Sequence, residues 1–106
     1  MTRVSGPGSR RHVDAFLEMM VAERGAAANT RDAYGRDLDQ YAAHLSARGT
    51  DCIAAAAEQT RGFIESLAAA GLSARTQARK LSAVRQFHRF LLLEGLRDDD
   101  PTSTID

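Results

Sequence analysis

The sequence contains few residues of the kinds that cross-link, interrupt or anchor a chain. Its 106 residues include one cysteine, two prolines and no tryptophan. The single cysteine, Cys52, excludes an internal disulfide framework and fits a reducing compartment. No apolar run approaches the ~18 residues of a membrane span, and Met1 to Arg11 lacks the hydrophobic stretch of a signal peptide. These absences predict a cytoplasmic domain without a membrane partner.

Recognisable catalytic and metal-binding patterns are also missing. His12, His44 and His88 are too scattered for a metal-binding pattern, and one cysteine cannot complete a thiolate site. There is no glycine-rich phosphate loop, no GxSxG and no HExxH. Tyr34 and Tyr41 lie on the apolar side of a predicted helix, so we expect them in the core. The sequence therefore predicts no catalytic residue, no metal and no cofactor in this chain.

Alternating apolar and polar residues, which would indicate strands, are absent, and a helical period runs through almost the whole chain. A flexible arm is predicted over residues 1–9. Asn29 and Thr30 are predicted to cap the second of four helices, the third spans about 58–70, and Ser73 caps the fourth. Glycines are predicted to end the helices, at Gly25, Gly49, Gly71 and Gly95. The predicted fold is all-α, a four-helix orthogonal bundle.

The apolar positions of these helices define a predicted core. Its members are Phe16, Leu17, Met20, Tyr34, Leu38, Leu45, Phe63, Leu67, Leu81, Val84 and Leu91. His88 and Cys52 are also expected to be packed inside, as a core histidine and a small core residue. Lys80 falls on the apolar side of the fourth helix, and we expect its ammonium group to reach the edge of the bundle.

The formal net charge is zero, with 14 Lys+Arg against 14 Asp+Glu, but the charges are unevenly distributed. Between Leu72 and Arg97 six basic residues stand against one acid, Glu94, a local charge of +5. The last nine residues contain four aspartates, a local charge of −4. Arginine outnumbers lysine 13 to 1, and guanidinium groups bind phosphates and guanine edges in a bidentate geometry that lysine cannot adopt.

One stripe of the fourth helix is polar and cationic. On a helical wheel it comprises Arg75, Arg79, Ser82, Gln86 and Arg89, spaced by 4, 3, 4 and 3 residues. Arg85 lies at its edge, and no acidic residue is expected within reach. Arginine and glutamine hydrogen-bond to base edges, and the first turn, with Ser73 and Thr76, favours a phosphate. The stripe predicts binding to duplex DNA; a solvated face, or an all-α adaptor that docks an acidic protein partner, would carry the same charge.

Two groups of residues occur in a specific order and spacing. The first comprises Asn29-Thr30, Tyr34 and Arg36-Asp37-Leu38. The second comprises Leu72-Ser73, Thr76, Arg79, the string LSAVR from Leu81 to Arg85, Phe87 and, further on, Asp99-Asp100-Pro101-Thr102. Together, from Val13 to Thr102, they resemble the N-terminal part of the tyrosine recombinases of the XerC/XerD type.

The resemblance implies a SAM-like core-binding domain over 10–97, one jaw of a clamp around a recombination half-site, with helices 2 and 4 in the major groove. Residues 98–106 would begin the linker to a catalytic domain absent from this chain, which would then not itself be an enzyme. The implied partners are double-stranded DNA of a recombination core site and other recombinase protomers, on the bacterial nucleoid. The resemblance leaves open whether the protein that contains this domain resolves chromosome dimers, integrates a phage or moves another element. The implied DNA contacts are Thr30, Arg36, Ser73, Arg75, Thr76, Arg79 and Ser82; the helical wheel adds Arg85, Gln86 and Arg89.

Overall fold

The computed structural model describes residues 5–105, and side-chain burial from Ser9 onward. These residues form four helices and no strand: α1 (Ser5–Arg24), α2 (Ala28–Ala47), α3 (Ala57–Ala69) and α4 (Ala74–Leu93). The predicted all-α fold with four helices is confirmed. None of the helices in this part of the chain has the length and apolar character needed to cross a membrane. Glycines end the helices as predicted, since Gly25, Gly49, Gly71 and Gly95 have φ between 63° and 77°.

Two helices begin elsewhere than predicted. Residues 5–9 belong to α1 and not to the predicted flexible arm, whose remainder, 1–4, lies outside the described residues. A helix can start there because the N–H that Pro7 lacks would have no intrahelical acceptor in a first turn. The prediction that Asn29 and Thr30 cap α2 is also wrong, because the helix already begins at Ala28 without a side-chain cap.

The start of α4 is capped as predicted. The Ser73 hydroxyl accepts a hydrogen bond from the backbone N–H of Thr76 at 3.2 Å, which satisfies one of the free donors in the first turn. The helix therefore begins at a defined residue, and the register of its side chains follows from there.

The core lies where α1, α2 and α4 meet. Phe16 packs against Phe87 and Phe90, with ring centroids 5.7 and 5.6 Å apart. The predicted core residues that are buried are Phe16, Leu17, Met20, Leu38, Leu45, Phe63, Leu67, Val84 and Leu91, and Cys52 joins them as predicted. Tyr34 and Leu81 are only half-buried, so the prediction for these two is wrong. Leu81 is turned about 120° around α4 from Phe87 and therefore lies at the rim of the core.

A buried set of polar side chains joins α2, α3 and α4. The Tyr41 hydroxyl is 2.8 Å from Oγ1 of Thr60 and 2.7 Å from Nε2 of His88. All three residues are fully or almost fully buried, so His88 is a core histidine as predicted. Burial, with a smaller contribution from Arg97, lowers the pKa of His88 to about 4, and the ring is therefore neutral near pH 7.

The residues after α4 fold back onto the bundle. Pro101 and Thr102 are buried, and Oδ1 of Asp100 accepts hydrogen bonds from the backbone and the hydroxyl of Thr102 at 2.8 and 2.7 Å. The Arg97 guanidinium binds Asp99 at 2.9 Å and the carbonyl oxygen of Cys52 at 3.1 Å. These contacts hold the segment beside α4, where it lines one wall of a cleft.

Candidate nucleic-acid interface

The open side of α4 is a row of five residues. Arg75, Ala78, Arg85 and Arg89 are exposed, and Ser82 is half-buried among them. Their spacing of 3, 4, 3 and 4 residues places them in one continuous line along the helix. We call this line the open row. It differs from the predicted stripe in two members: Ala78 and Arg85, which was predicted at the edge, take the place of Arg79 and Gln86, although Arg79 is itself exposed.

The open row differs from the predicted stripe because α2 packs along one edge of that stripe and engages Arg79 there. The buried carboxylate of Asp37 accepts hydrogen bonds from Nε and Nη2 of Arg79, both at 2.9 Å. The prediction that no acidic residue reaches the stripe is therefore wrong. Asp37 lies 42 residues before Arg79 and comes from a different helix, so a wheel of α4 alone could not reveal it.

Lys80 binds the same carboxylate from the buried side. Its ammonium nitrogen lies 2.8 Å from Oδ1 of Asp37 and 2.5 Å from Oε1 of Gln40, and its side chain is 8% exposed. The expected extension to the edge of the bundle is wrong, because a buried carboxylate is the nearer partner. The cluster formed by Asp37, Arg79 and Lys80 has a net charge of +1.

The electrostatics of this cluster favour ionised groups. Burial alone would raise the pKa of Asp37, but hydrogen bonds from Arg79 and Lys80, and attraction to both cations, outweigh it and lower that pKa. In return, the hydrogen bond to Asp37 and the attraction to its charge raise the pKa of Arg79. Asp37 and Arg79 therefore stay charged at neutral pH, and their contact ties α2 to α4.

A second contact between α2 and α4 engages Ser82 and Gln86. Nε2 of Gln86 donates to the Tyr34 hydroxyl at 3.1 Å and to the Ser82 hydroxyl at 3.0 Å. The amide oxygen of Gln86 accepts a hydrogen bond of 2.8 Å from the exposed Arg24, at the end of α1. Sequence reasoning missed Arg24, since its partner lies 62 residues away; its only signal was its place in the last turn before Gly25.

The two predicted site residues of α2 do not lie together. Thr30 is exposed in the first turn, four residues before Tyr34, and therefore on the side of α2 that meets α4. Arg36 is exposed as well, but it is turned about 100° around the helix from Asp37. Among the described residues no hydrogen bond or ion pair connects Arg36 to α4.

The first turn of α4 combines a cap, a hydroxyl and a cation. The Ser73 hydroxyl donates a hydrogen bond of 3.0 Å to Oγ1 of Thr76, and Arg75, which lies between these two residues in the sequence, is exposed. The free backbone N–H groups and the helix dipole at this end favour a negatively charged ligand. The arrangement can therefore hold a phosphate at one end of the open row.

An open cleft of about 560 Å³ separates the open row from the C-terminal segment. It is lined by Ala78, Leu81, Ser82, Arg85, Gln86 and Arg89 on one side and by Asp100, Thr102, Ser103 and Ile105 on the other. Nη2 of Arg85 donates a hydrogen bond to the carbonyl oxygen of Ile105. Nowhere in residues 5–105 are three His, Cys, Asp or Glu side chains grouped so that they could hold a metal ion. The cleft is therefore a polar groove with arginines on one wall.

The described residues form an all-α domain of four helices without a strand. The exposed cationic row on α4 suits an anionic partner. Residues 13–95 match the family model described as phage integrase, N-terminal SAM-like domain. The chain belongs to this family. The resemblance inferred from the order and spacing of its motifs is thereby confirmed.

Individual relatives agree with the family. The chain is 53% identical over 98 residues to the tyrosine recombinase XerD of Rhizobium meliloti (strain 1021), which covers 92% of this chain and 32% of that protein. It is 52% identical over 92 residues to the tyrosine recombinase XerD of Caulobacter vibrioides, which covers 87% of this chain and 30% of that protein. For the tyrosine recombinase XerD of Brucella suis the identity is 49% over 94 residues, with 89% and 30% covered. The chain thus spans about a third of the length of these relatives. No solved structure matches it significantly.

Proposed function

We propose that this chain is the DNA-binding module of a tyrosine site-specific recombinase and that it holds a recombination half-site through α2 and α4 in the major groove. The observation that carries the proposal is the open row of α4. Arg75, Arg85 and Arg89 are exposed, and none of them has an acidic partner among the described residues. Three uncompensated guanidinium groups in a line favour a polyanion over a neutral partner.

The dimensions of the open row support DNA as that polyanion. The row extends about 21 Å from Arg75 to Arg89 at about 1.5 Å per residue. A major groove is about 12 Å wide, so guanidinium groups at the two ends of the row can contact phosphates on both of its sides. Side chains in the middle of the row would then lie over the base edges.

The roles of the individual residues follow from their positions. Ser73, Arg75 and Thr76 would bind a phosphate at the start of α4, and Arg85 and Arg89 would bind phosphates further along. The middle of α4 would meet the bases, through the exposed Arg79 and the half-buried Ser82 and Gln86. On α2, Thr30, which lies beside α4, and the exposed Arg36, which is turned away from it, would contact the DNA backbone.

The rest of the proposal concerns the parent protein. We propose that the helical domain, predicted over 10–97 and extended by residues 5–9 of α1, binds the DNA, and that 98–106 lead toward a catalytic domain that breaks and rejoins it. The binding module would then act with other protomers at a recombination site on the bacterial nucleoid. The support is that relatives named tyrosine recombinases contain this domain in about a third of their length.

Salt-dependent binding of a labelled 30-bp duplex, followed by fluorescence anisotropy, tests the proposal. Neutralising the three phosphates bound by α4 contributes about −2.7 to the log–log salt slope, and Arg85→Ala with Arg89→Ala should reduce the magnitude of the slope by about 1.8. The matched control is Arg48→Ala, an exposed arginine at the end of α2 that binds the carbonyl oxygen of His44 and lies outside the open row. It should leave the slope nearly unchanged.

Two outcomes would contradict the proposal. One is a wild-type chain that binds no duplex at low salt. The other is competition by polyglutamate as strong as competition by unlabelled duplex, which would favour docking of an acidic protein.

A further inference from the structure

The Asp37 carboxylate binds only one edge of the Arg79 guanidinium group. The two contacts, Nε to Oδ2 and Nη2 to Oδ1, are both 2.9 Å long. A guanidinium group has five N–H donors in a planar fork, and this pairing uses one on Nε and one on Nη2. Both donors on Nη1 and the second donor on Nη2 are left over. They form a second edge, which we call the free edge of Arg79.

The free edge faces away from the protein interior. Asp37 is buried and its side chain is 1% exposed, whereas the side chain of Arg79 is 44% exposed. Because the guanidinium group is planar and held by two parallel hydrogen bonds, its orientation is set by the carboxylate. Arg79 therefore presents two adjacent N–H donors at the surface of α4 in one fixed direction.

We propose that Asp37 is a positioning residue for sequence recognition, which holds Arg79 so that its free edge binds a guanine in the major groove. The inference rests on the proposed function and names the residue that orients one of its contacts. Two parallel donors match the O6 and N7 acceptors of guanine. Holding the arginine in place beforehand reduces the side-chain entropy that binding would otherwise cost.

Lys80 is the reason that this arrangement can attract DNA. Arg79 and Asp37 alone would form a neutral pair, which contributes no net attraction to a polyanion. The ammonium group of Lys80, 2.8 Å from the same carboxylate and also bound to Gln40, gives the cluster its net positive charge. The buried lysine thus compensates for the carboxylate, and the charge of Arg79 remains effective toward DNA.

The test compares discrimination between two duplexes. The preferred duplex is first selected from a randomised 30-bp library with the wild-type 106-residue chain, and a scrambled duplex of the same composition is the reference. Asp37→Asn should reduce the ratio of the two affinities about tenfold, the size of one bidentate base contact. The matched control is Asp39→Asn, which removes the same charge from α2 at a side chain that is 48% exposed and paired with Arg10 at 3.6 Å. It should change both affinities by the same factor and leave their ratio unchanged.

A second variant covers the case in which Asp37→Asn does not fold, as judged by circular dichroism. Arg79→Lys keeps the charge and leaves Lys80 with its carboxylate, but a single ammonium group cannot offer a planar pair of donors. It should lose the same discrimination. In NMR spectra of the free chain, the Nε–H signal of Arg79 should exchange slowly with solvent in the wild type and rapidly in Asp37→Asn.

The outcomes separate this inference from the proposed function. Wild-type discrimination in a folded Asp37→Asn or in Arg79→Lys overturns the role of Asp37, and so does an Nε–H signal that stays protected without the carboxylate. A wild-type chain that binds duplex DNA without any sequence preference also overturns it, while leaving the proposed function intact. A wild-type chain that binds no duplex overturns the proposed function itself.

Discussion

The pH dependence of folding should depend on His88. A histidine in an unfolded chain has a pKa of about 6.5, whereas burial lowers the pKa of His88 in the folded chain to about 4. Between these two values the unfolded chain binds a proton at this side chain and the folded chain does not. The contribution of the neutral ring to stability is therefore complete above the unfolded pKa and is lost as the pH falls toward the folded pKa.

The hydrogen bonds around His88 explain why its protonation is costly. Nε2 is 2.7 Å from the Tyr41 hydroxyl, whereas Nδ1 is buried without a hydrogen-bond partner among the described residues. A buried N–H without an acceptor is rare in folded proteins, so we place the proton of the neutral ring on Nε2, as donor to Tyr41. The Tyr41 hydroxyl then donates to Thr60. A second proton would create a buried N–H on Nδ1 with no acceptor.

The gap between the two pKa values corresponds to about 3 kcal/mol of the free energy of unfolding, because each pKa unit contributes about 1.4 kcal/mol. That is a large share of the ~5–15 kcal/mol that stabilises a typical domain. Urea unfolding, followed by circular dichroism between pH 4.5 and 7.5, should show this loss in the wild type. His88→Gln, which stays neutral and retains an N–H for Tyr41, should have a much flatter profile.

A control separates His88 from the other histidines. Burial also lowers the pKa of His12 and of His44, although both are only half-buried. His12→Gln should therefore leave most of the wild-type pH dependence in place. Equal losses of stability on acidification in the wild type and in His88→Gln would refute the reasoning.

Three further predictions concern the core, a turn and the absence of chemistry. Leu91→Ala should lower the free energy of unfolding by ~2–5 kcal/mol, because Leu91 is fully buried. Leu81→Ala should lower it clearly less, because Leu81 is only half-buried. Urea titrations in which Leu81→Ala is the more destabilising variant would contradict the described core. Gly71→Ala should cost about 1 kcal/mol in the same assay, since its φ of 77° disfavours a Cβ although no atom lies within 4 Å of one; an unchanged midpoint would contradict this. Incubated with a suicide-substrate duplex, the chain should form no covalent protein–DNA product on a denaturing gel. A covalent band that Tyr34→Phe abolishes would contradict the proposal that this domain only binds DNA and that a different domain catalyses.

Local signals predicted the helices because the relevant physics is local. A glycine that must adopt positive φ, such as Gly71, can be recognised from its neighbours, and so can a serine cap such as Ser73. Apolar residues spaced by three and four predicted most of the core. The start of α1 was missed because Gly6 and Pro7 normally interrupt a helix, and only the first turn tolerates them.

The candidate site was predicted less completely because it depends on how helices pack. The helical wheel of α4 found a broad polar side but not which edge of it α2 covers, so it could not show that Arg79 is paired with an acid from α2 while Arg85 is not. The Asp37–Arg79 contact spans 42 residues and the Arg24–Gln86 contact spans 62. Neither pairing has a periodic signature in the sequence.

The position of the sole lysine has a practical consequence. Lys80 is the only lysine in the sequence, and its ammonium group is held against the Asp37 carboxylate in the interior. The exposed cations of the described surface are arginines, whose charge enzymatic lysine acetylation cannot remove. Such acetylation would therefore leave the open row cationic. For the same reason, an amine-reactive dye should spare α4 in the folded chain.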